Sequence, residues 1–311
     1  AVSVPRLADE EIQRIMGERK PLVLSGAFTP AEAIRRYCTY YKLPVTGNPY
    51  RSGYVQSGHY ELFVQIFGPV QNKNRAYFIH GYLDHSGVNY HLVRFLLSRG
   101  YTVITIDLPG HGLSTGDHAD IGSFNEYGAA LQHVVRFCSD GRRYSTVIAG
   151  HSTGCAAALE YLYRTRDTDA RYIFISPLVK SYLYDASLVA VSILRPFTKS
   201  IVRRPGAATS DRQFEQWIVE DPLRSESVPF GWVDALKEWN DRIVAYPPLD
   251  ADLTVFQGTK DTVVDWRYSV DFLRNKIPGT DVHMVEGARH CLQYERDEVR
   301  KRFFELLAGV L

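Results

Sequence analysis

Short β-type runs alternate with helical segments over most of this 311-residue chain, and this alternation constrains the fold most strongly. Strand-like runs lie at residues 60–67, 76–79, 102–106, 146–149, 172–175, 253–256 and 282–285. Helical patterns lie at about 93–98, 124–138, 155–166, 265–276 and 295–307. Most of the runs are continuously apolar, as in strands buried on both faces. The pattern predicts an α/β fold with a mostly parallel central sheet and helices on both faces.

One long stretch, from about residue 177 to residue 250, breaks the alternation and is mostly helical with several prolines. It is too long for a connecting loop, so we expect an inserted helical cap over residues 178–250. We then expect a core of residues 51–177 and 251–311, preceded by a helical N-terminal extension over residues 1–50. Within that extension, Thr29 is the predicted N-cap of a helix whose first residue is Pro30.

The strongest signal for chemistry is a G-x-S-x-G pattern at Gly150-His151-Ser152-Thr153-Gly154. It follows a strand-like run directly and opens a helix, the context in which this pattern builds a sharp turn that exposes the serine hydroxyl. Gly150 and Gly154 lack side chains, so the strand and the helix can pass close together. Ser152 is therefore the candidate nucleophile.

A serine nucleophile needs a base, and the base needs an acid that orients it. Asp261 and His290 each lie a few residues beyond a predicted strand. Because open α/β sheets place their sites at the carboxyl ends of strands, both should lie near Ser152. Their order along the chain, Ser-Asp-His, also fits this type of elbow. Asp265 is the competing acid, but its position is better suited to a helix N-cap.

The oxyanion of the reaction needs two backbone N–H donors. One is expected from Thr153, the residue after the nucleophile, and the other from the loop after the strand-like run at 76–79. That loop begins His80-Gly81-Tyr82, so Tyr82 is the predicted second donor and Gly81 lets the backbone approach the substrate. The alternative is that His80-Gly81 only ends the strand.

Four stretches carry a resemblance to a known family, namely residues 80–87, residues 107–114, the Ser152 pattern, and residues 258–261 with 287–290. They resemble the α/β-hydrolase superfamily and, more narrowly, its monoglyceride lipase and lysophospholipase branch, also called serine aminopeptidase-like hydrolases. The likeness covers about residues 53–311. The branch usually has Arg-Tyr where this chain has Asn89-Tyr90, which is a departure from the narrower pattern.

The resemblance implies the α/β-hydrolase fold and ester hydrolysis through an acyl-enzyme. It implies that Ser152, Asp261 and His290 are catalytic and that His151 shapes the turn without transferring protons. His80, Gly81, Gly150 and Gly154 are expected to support the site.

No metal or cofactor is expected. The chain lacks H-E-x-x-H and any complete dinucleotide or phosphate-loop fingerprint, and its cysteines are not spaced as metal ligands. Four cysteines in so long a chain also argue against a disulfide framework, so reduced thiols and a cytoplasmic location are the simplest expectation. Because the sequence begins at Ala1, N-terminal processing stays open.

The net charge of +1 argues against a protein held to nucleic acid by bulk electrostatics. Within residues 178–204, however, five Lys or Arg residues stand against one Asp and flank an apolar run at 186–194. Such a segment can rest on an anionic membrane surface or contact a phospholipid head group. The alternative, which we favour slightly, is a cap helix that covers the acyl pocket with its charges in solvent, and the two interpretations are compatible.

Three functions remain open from the sequence. The first is a serine carboxylic ester hydrolase on monoacylglycerols or lysophospholipids, with a lipid ester as its partner and peripheral membrane contact through the cap. The second is a peptidase or amidase with the same triad, for which Glu215, Glu220 and Asp221 are candidate contacts to a substrate amine. The third is a non-catalytic binding protein on the same fold. The oligomeric state is open.

Overall fold

The computed structural model describes residues 6–203 and 208–311, and the strands in this part of the chain form two sheets. The strands are β1 (Tyr50–Ser57), β2 (Tyr60–Phe67), β3 (Asn74–Ile79), β4 (Thr102–Ile106), β5 (Ser145–His151), β6 (Arg171–Ile175), β7 (Ser200–Val202), β8 (Ser227–Pro229), β9 (Asp252–Gly258) and β10 (Asp281–Val285). The helices are α1 (Asp9–Glu18), α2 (Glu32–Tyr40), α3 (Tyr90–Ser98), α4 (Phe124–Ser139), α5 (Thr153–Thr165), α6 (Tyr184–Leu194), α7 (Arg212–Val219), α8 (Phe230–Ile243), α9 (Trp266–Lys276) and α10 (Asp297–Ala308).

The larger sheet has the strand order β1-β2-β4-β3-β5-β6-β9-β10. Every pairing from β4 to β10 is parallel, whereas β2 is antiparallel to both β1 and β4. The predicted α/β class with a mostly parallel sheet is therefore confirmed. Strand β1 was not predicted, because its residues are mostly polar or glycine and the first strand-like run in the sequence is residues 60–67.

The two faces of the sheet are buried in two separate hydrophobic clusters. Neighbouring residues of one strand alternate between them, as Tyr77 and Phe78 of β3 do. The cluster that contains Tyr77 is covered by α4, α5, α8 and α9, and the other by α1, α2, α3 and α10. Helices on both faces, as predicted, explain why the strands are apolar throughout.

The N-terminal extension packs on the sheet and also reaches its edge. The Leu22 N–H donates to Tyr54 O of β1 at 3.0 Å, and Tyr54 N–H donates to Lys20 O at 2.9 Å. An added Cβ at Gly53 would collide with the Leu22 backbone, so glycine permits this close approach. Residues 20–22 of the extension thus lie along the outer edge of β1.

The predicted start of the second helix was wrong by two residues. Helix α2 begins at Glu32 with Ala31 in extended backbone as its N-cap, rather than at Pro30 after Thr29. Arg35 donates to Pro30 O and forms an ion pair with Glu32, so an arginine one turn later binds this end of the helix. These contacts replace the expected cap by the Thr29 hydroxyl.

Residues 178–250, called the cap segment below, add no strand to the larger sheet in their described part. They contain α6, α7, α8 and a two-stranded antiparallel sheet of β7 and β8, which the sequence did not predict. Helix α8 is anchored on the core, where Trp239 Nε1–H donates to the buried Glu160 of α5 at 2.7 Å. Among the described residues, no helix is both long and apolar enough to span a membrane.

Candidate active site

Ser152, Asp261 and His290 follow β5, β9 and β10, respectively, at the carboxyl ends of parallel strands. All three are buried, with 6%, 4% and 4% of their surface exposed, so little of each reaches solvent. Ser152 and His290 line one cavity together with residues from the loop after β3 and from the cap segment. The sheet therefore brings together the three residues that the sequence singled out.

The backbone of Ser152 is strained. Its φ of 53° and ψ of −113° lie where residues other than glycine are rare, at the junction of β5 and α5. The Ser152 N–H donates to Ile175 O of β6 at 3.0 Å, which holds the turn. A Cβ at Gly154 would collide with the Ile79 carbonyl oxygen, so the last glycine of G-x-S-x-G lets α5 pass β3.

Asp261 is fixed as a partner for His290. Its Oδ2 lies 2.8 Å from His290 Nδ1 and accepts from the Gln257 side-chain amide at 3.0 Å. Its Oδ1 accepts from the backbone N–H groups of Val263 and Val264. Burial alone would raise the pKa of Asp261, but the charge and hydrogen bond of His290 and the other donors outweigh it and lower that pKa. The carboxylate therefore stays ionised and orients the imidazole.

The Ser152 hydroxyl has no hydrogen-bond partner in the described part of the chain, so the serine and the His290 imidazole share the cavity without a direct bond in this structure. In unliganded active sites, such bonds are often long and tighten only in the complex with substrate. The arrangement leaves the hydroxyl proton available to the imidazole.

Both predicted oxyanion donors lie beside Ser152. Thr153 is the first residue of α5, where a backbone N–H has no partner within the helix. A Cβ at Gly81 would lie 3.3 Å from Ser152 Cβ, which brings the loop that carries Tyr82 close to the nucleophile. The Tyr82 ring stacks on Trp232 of α8 at 3.8 Å between centroids, and its hydroxyl donates to Ala119 O. These contacts hold the loop against the cap segment.

The supporting histidines are neutral structural groups. His80 Nε2 accepts from Leu108 N–H at 2.9 Å, so its Nδ1–H donates to Gly81 O at 2.7 Å. Burial lowers the pKa of His80 to about 3, and that of His151 also to about 3. His151 lies against His290, with its Nε2 3.3 Å from His290 O. Their contacts shape the two loops around the nucleophile.

Asp265 forms the helix cap that the sequence offered as its alternative role. Its side chain accepts from Tyr268 N–H at the start of α9.

Two cysteines lie near the nucleophile. Cys155, three residues after Ser152, is fully enclosed and its thiol contacts Gly150 O, whereas Cys291 lines the cavity.

Sequence reasoning missed most of the cavity wall, which is shared by the loop after β3 and the cap segment. Its charged members are Asp84, Arg203, Glu215 and Arg224. Asp84 belongs to the stretch that carries the family likeness, which was a usable signal. Arg203 belongs to the basic stretch at residues 178–204, whereas no local pattern marks Arg224.

A second buried histidine–aspartate contact lies beside the cavity and joins three parts of the chain. Asp221 of the cap segment accepts from His85 Nε2–H at 2.8 Å and from the Tyr41 hydroxyl of the N-terminal extension at 2.7 Å. His85 Nδ1 lies 3.1 Å from Gly87 N. Burial would lower the pKa of His85, but the charge and hydrogen bond of Asp221 outweigh burial and raise that pKa to about 9. Burial would raise the pKa of Asp221, yet His85, Tyr41 and the Leu223 N–H together lower it.

This cluster corrects one expectation. Asp221 has its oxygens occupied and only 6% of its surface exposed, so it is not a contact for a substrate amine. Glu220 is exposed and lies outside the cavity wall, which leaves only Glu215 of the three carboxylates named for that role.

Comparison with known proteins places the chain in a family. The family model described as serine aminopeptidase, S33, matches residues 71–297. The monoglyceride lipase homolog of Monkeypox virus is 26% identical over 248 residues, which are 77% of this chain and 90% of that protein. Human monoglyceride lipase is 26% identical over 258 residues, covering 78% and 84% of the two chains.

Solved structures show the same fold. A soluble variant of the monoglyceride lipase of Saccharomyces cerevisiae superposes with a TM-score of 0.70 at 20% identity, covering 86% of this chain and 97% of that chain. The monoacylglycerol lipase of Paleococcus ferrophilus gives a TM-score of 0.67 at 20% identity, covering 80% and 99%. The chain therefore belongs to the serine aminopeptidase S33 family of α/β-hydrolases, in its monoglyceride lipase-like branch, and is a hydrolase of the lipase or esterase type.

Proposed function

We propose that this chain is a serine hydrolase that cleaves the ester bond of single-chain lipids, monoacylglycerols or lysophospholipids, through an acyl-enzyme. One observation carries the proposal. An imidazole held at 2.8 Å by an ionised, buried carboxylate shares a cavity with a serine on a strained strand-to-helix turn. The names of the related monoglyceride lipases supply the class of substrate.

In the first half of the reaction, His290 Nε2 takes the proton of Ser152 Oγ while that oxygen attacks the ester carbonyl carbon. Asp261 holds the Nδ1–H of the imidazole and stabilises the positive charge that forms on it. The backbone N–H groups of Tyr82 and Thr153 donate to the oxyanion. When the carbon–oxygen bond to the alcohol breaks, His290 returns the proton to the leaving oxygen.

In the second half, His290 removes a proton from water, which attacks the carbonyl carbon of the acyl-enzyme. The bond to Ser152 Oγ breaks, the proton passes to that oxygen, and the fatty acid leaves. The chemistry uses only groups of this chain and water.

The test is labelling with a fluorophosphonate probe and hydrolysis of 1-octanoylglycerol. We expect the wild type to be labelled, and Ser152→Ala to lose labelling and at least about 10⁴-fold of kcat/KM. Ser139→Ala, at the end of α4 and outside the cavity wall, is the control and should behave as wild type. Equal labelling of Ser152→Ala and wild type would overturn the serine mechanism. Hydrolysis of aminoacyl amides in preference to octanoyl esters would instead assign a peptidase.

We further propose that the cap segment contacts a lipid surface. Ten of its described large hydrophobic side chains are exposed, and eight of these lie between Tyr182 and Val202, where Phe197 is the most exposed at 84%. Helix α6 buries only Val191 and adds no residue to the cavity wall, which argues against its expected role as a cover for the acyl pocket. Lys180, Lys199 and Arg203 supply positive charge nearby, while Arg204 lies outside the described residues.

Sedimentation with phosphatidylcholine–phosphatidylglycerol vesicles tests this contact. Val189 on α6 and Val244 after α8 are both 59% exposed, so Val189→Asp and Val244→Asp form a matched pair. We expect Val189→Asp to weaken binding about fivefold, since burying one valine in lipid contributes about 1 kcal/mol, and Val244→Asp to leave binding unchanged. Equal effects of the two variants, or no vesicle binding by the wild type, would contradict the proposal.

A further inference from the structure

Two arginines of the cap segment line the same cavity as Ser152 and His290. Arg203 follows β7 and Arg224 precedes β8. Among the described residues neither forms a salt bridge, and Arg224 Nη1 is buried without any hydrogen-bond acceptor. A buried N–H group without an acceptor is costly, so a ligand oxygen is the natural partner for this guanidinium.

The two guanidiniums lie close enough for their charges to interact. The Arg203 side chain reaches solvent, while the protein atoms packed around its guanidinium and the positive charge of Arg224 lower its pKa. Burial also lowers the pKa of Arg224. Both groups remain charged, because an arginine starts from a pKa above 12. A ligand with a negative charge would relieve the repulsion between them.

Two carboxylates on the cavity wall partly oppose these charges. Burial raises the pKa of Asp84 to about 6, although Arg224 and His85 act against that shift, and Glu215 lies half-buried on α7. Because neither carboxylate is bonded to an arginine, the guanidinium N–H groups keep their capacity to bind a ligand.

The size of the cavity favours a compact group. Its volume is about 130 Å³, close to the roughly 150 Å³ of a protein cavity that holds benzene. A phosphate with its first carbon fits this volume. Guanidinium groups bind phosphate oxygens through paired, charge-assisted hydrogen bonds.

We propose that Arg203 and Arg224 bind a phosphate on the leaving alcohol of the substrate, so that the enzyme prefers lysophospholipids to uncharged monoacylglycerols. This inference depends on the ester hydrolysis proposed above and names the head group for the same site. Arg203 and Arg224 hold the phosphate, while the ester carbonyl faces Ser152.

Two substrates with the same acyl chain test the inference, 1-octanoylglycerol 3-phosphate and 1-octanoylglycerol, both below their micelle concentrations. We expect the wild type to show a kcat/KM at least about tenfold higher for the phosphate ester, the effect of one charge-assisted hydrogen bond. Arg203→Gln and Arg224→Gln should each lower the ratio of the two kcat/KM values about tenfold. Arg224→Lys, which keeps the charge but not the paired geometry, should restore part of it.

Arg274→Gln, an exposed arginine on α9 outside the cavity wall, should leave the ratio unchanged. An unchanged ratio in both cavity variants, or a wild-type preference for octanoylglycerol, would overturn the inference. If Arg224→Gln fails to fold, Arg224→Lys and Arg203→Gln still decide the question.

Two further readouts separate the sources of failure. If the wild type is labelled by the fluorophosphonate and cleaves 1-octanoylglycerol but not its phosphate ester, the head-group inference is refuted and the proposed ester hydrolysis stands. If the wild type is not labelled and cleaves neither ester, the proposed function itself is refuted. Inorganic phosphate is also tested as a competitive inhibitor of p-nitrophenyl acetate hydrolysis. If it inhibits but the enzyme shows no preference for the phosphate ester, the arginines bind free phosphate, and the proposed preference for lysophospholipids is overturned.

Discussion

Replacement of Tyr41 by Phe tests whether the N-terminal extension stabilises the cap segment through Asp221. The Tyr41 ring is fully buried and packs at 4.8 Å from the rings of Tyr37, Tyr40 and His85. Phe keeps these contacts, so the substitution removes only the hydroxyl that donates to Asp221 at 2.7 Å.

The expected loss of stability follows from that one bond. Removing a hydrogen bond to a charged group costs about 1.5–3 kcal/mol, and Asp221 keeps its donors His85 and Leu223. We therefore expect the free energy of unfolding to fall by about 2 kcal/mol. With an unfolding entropy of about 2.1 cal/mol/K per residue, the thermal midpoint of this chain should fall by about 3 °C.

Equilibrium unfolding in urea at neutral pH measures the loss, provided that the m-value is unchanged. Tyr101→Phe is the matched control, because its half-buried hydroxyl donates to Leu311 O over a longer 3.4 Å. It should cost less than about 0.5 kcal/mol. In an Asp221→Asn background, Tyr41→Phe should cost at most about 1 kcal/mol, since the acceptor is then neutral. A loss in the wild-type background no larger than that of Tyr101→Phe would refute the reasoning.

Two further outcomes concern the ionised carboxylates. Asp261→Asn should lower kcat about 10³-fold or more with a smaller change in KM, because the imidazole loses the charge that orients it. Steady-state kinetics on 1-octanoylglycerol measure both constants. Turnover near that of the wild type would show that Asp261 does not have its proposed role. Asp221 and Asp261 have lowered pKa values when folded, so the stability they contribute is present above the unfolded-state pKa of about 4 and is lost as the pH falls through the folded-state values. Urea unfolding from pH 6 to pH 3 should show this decline, and Asp221→Asn should decline less steeply than wild type.

The sequence predicted the parts of the fold that depend on neighbouring residues. Continuous apolar runs marked strands buried on both faces, and two glycines around Ser152 marked a strand-to-helix turn with room for a close crossing. Ser123 and Glu126 form a capping box at the start of α4, as the S-x-x-E spacing of residues 123–126 predicts. In each case the local pattern and the physical constraint involve the same few residues.

The remaining features depend on contacts between distant parts of the chain. Tyr41 and Asp221 are 180 positions apart, and neither has a local pattern that selects the other. Arg203 and Arg224 reach the cavity because β7 and β8 pair across the cap segment. The polar start of β1 is a strand because β2 offers it a partner along its full length.

The contact between the N-terminal extension and β1 bears on how much of the edge of the larger sheet is open to another chain. Strand β1 ends the larger sheet, and an open edge of this kind offers unpaired N–H and C=O groups to another chain. The backbone of residues 20–22 takes up part of that capacity at Tyr54. A chain shortened to begin at β1 would also uncover the apolar surface beneath α1 and α2. We expect such a chain to aggregate through this edge and surface, even though every group of the candidate active site is retained.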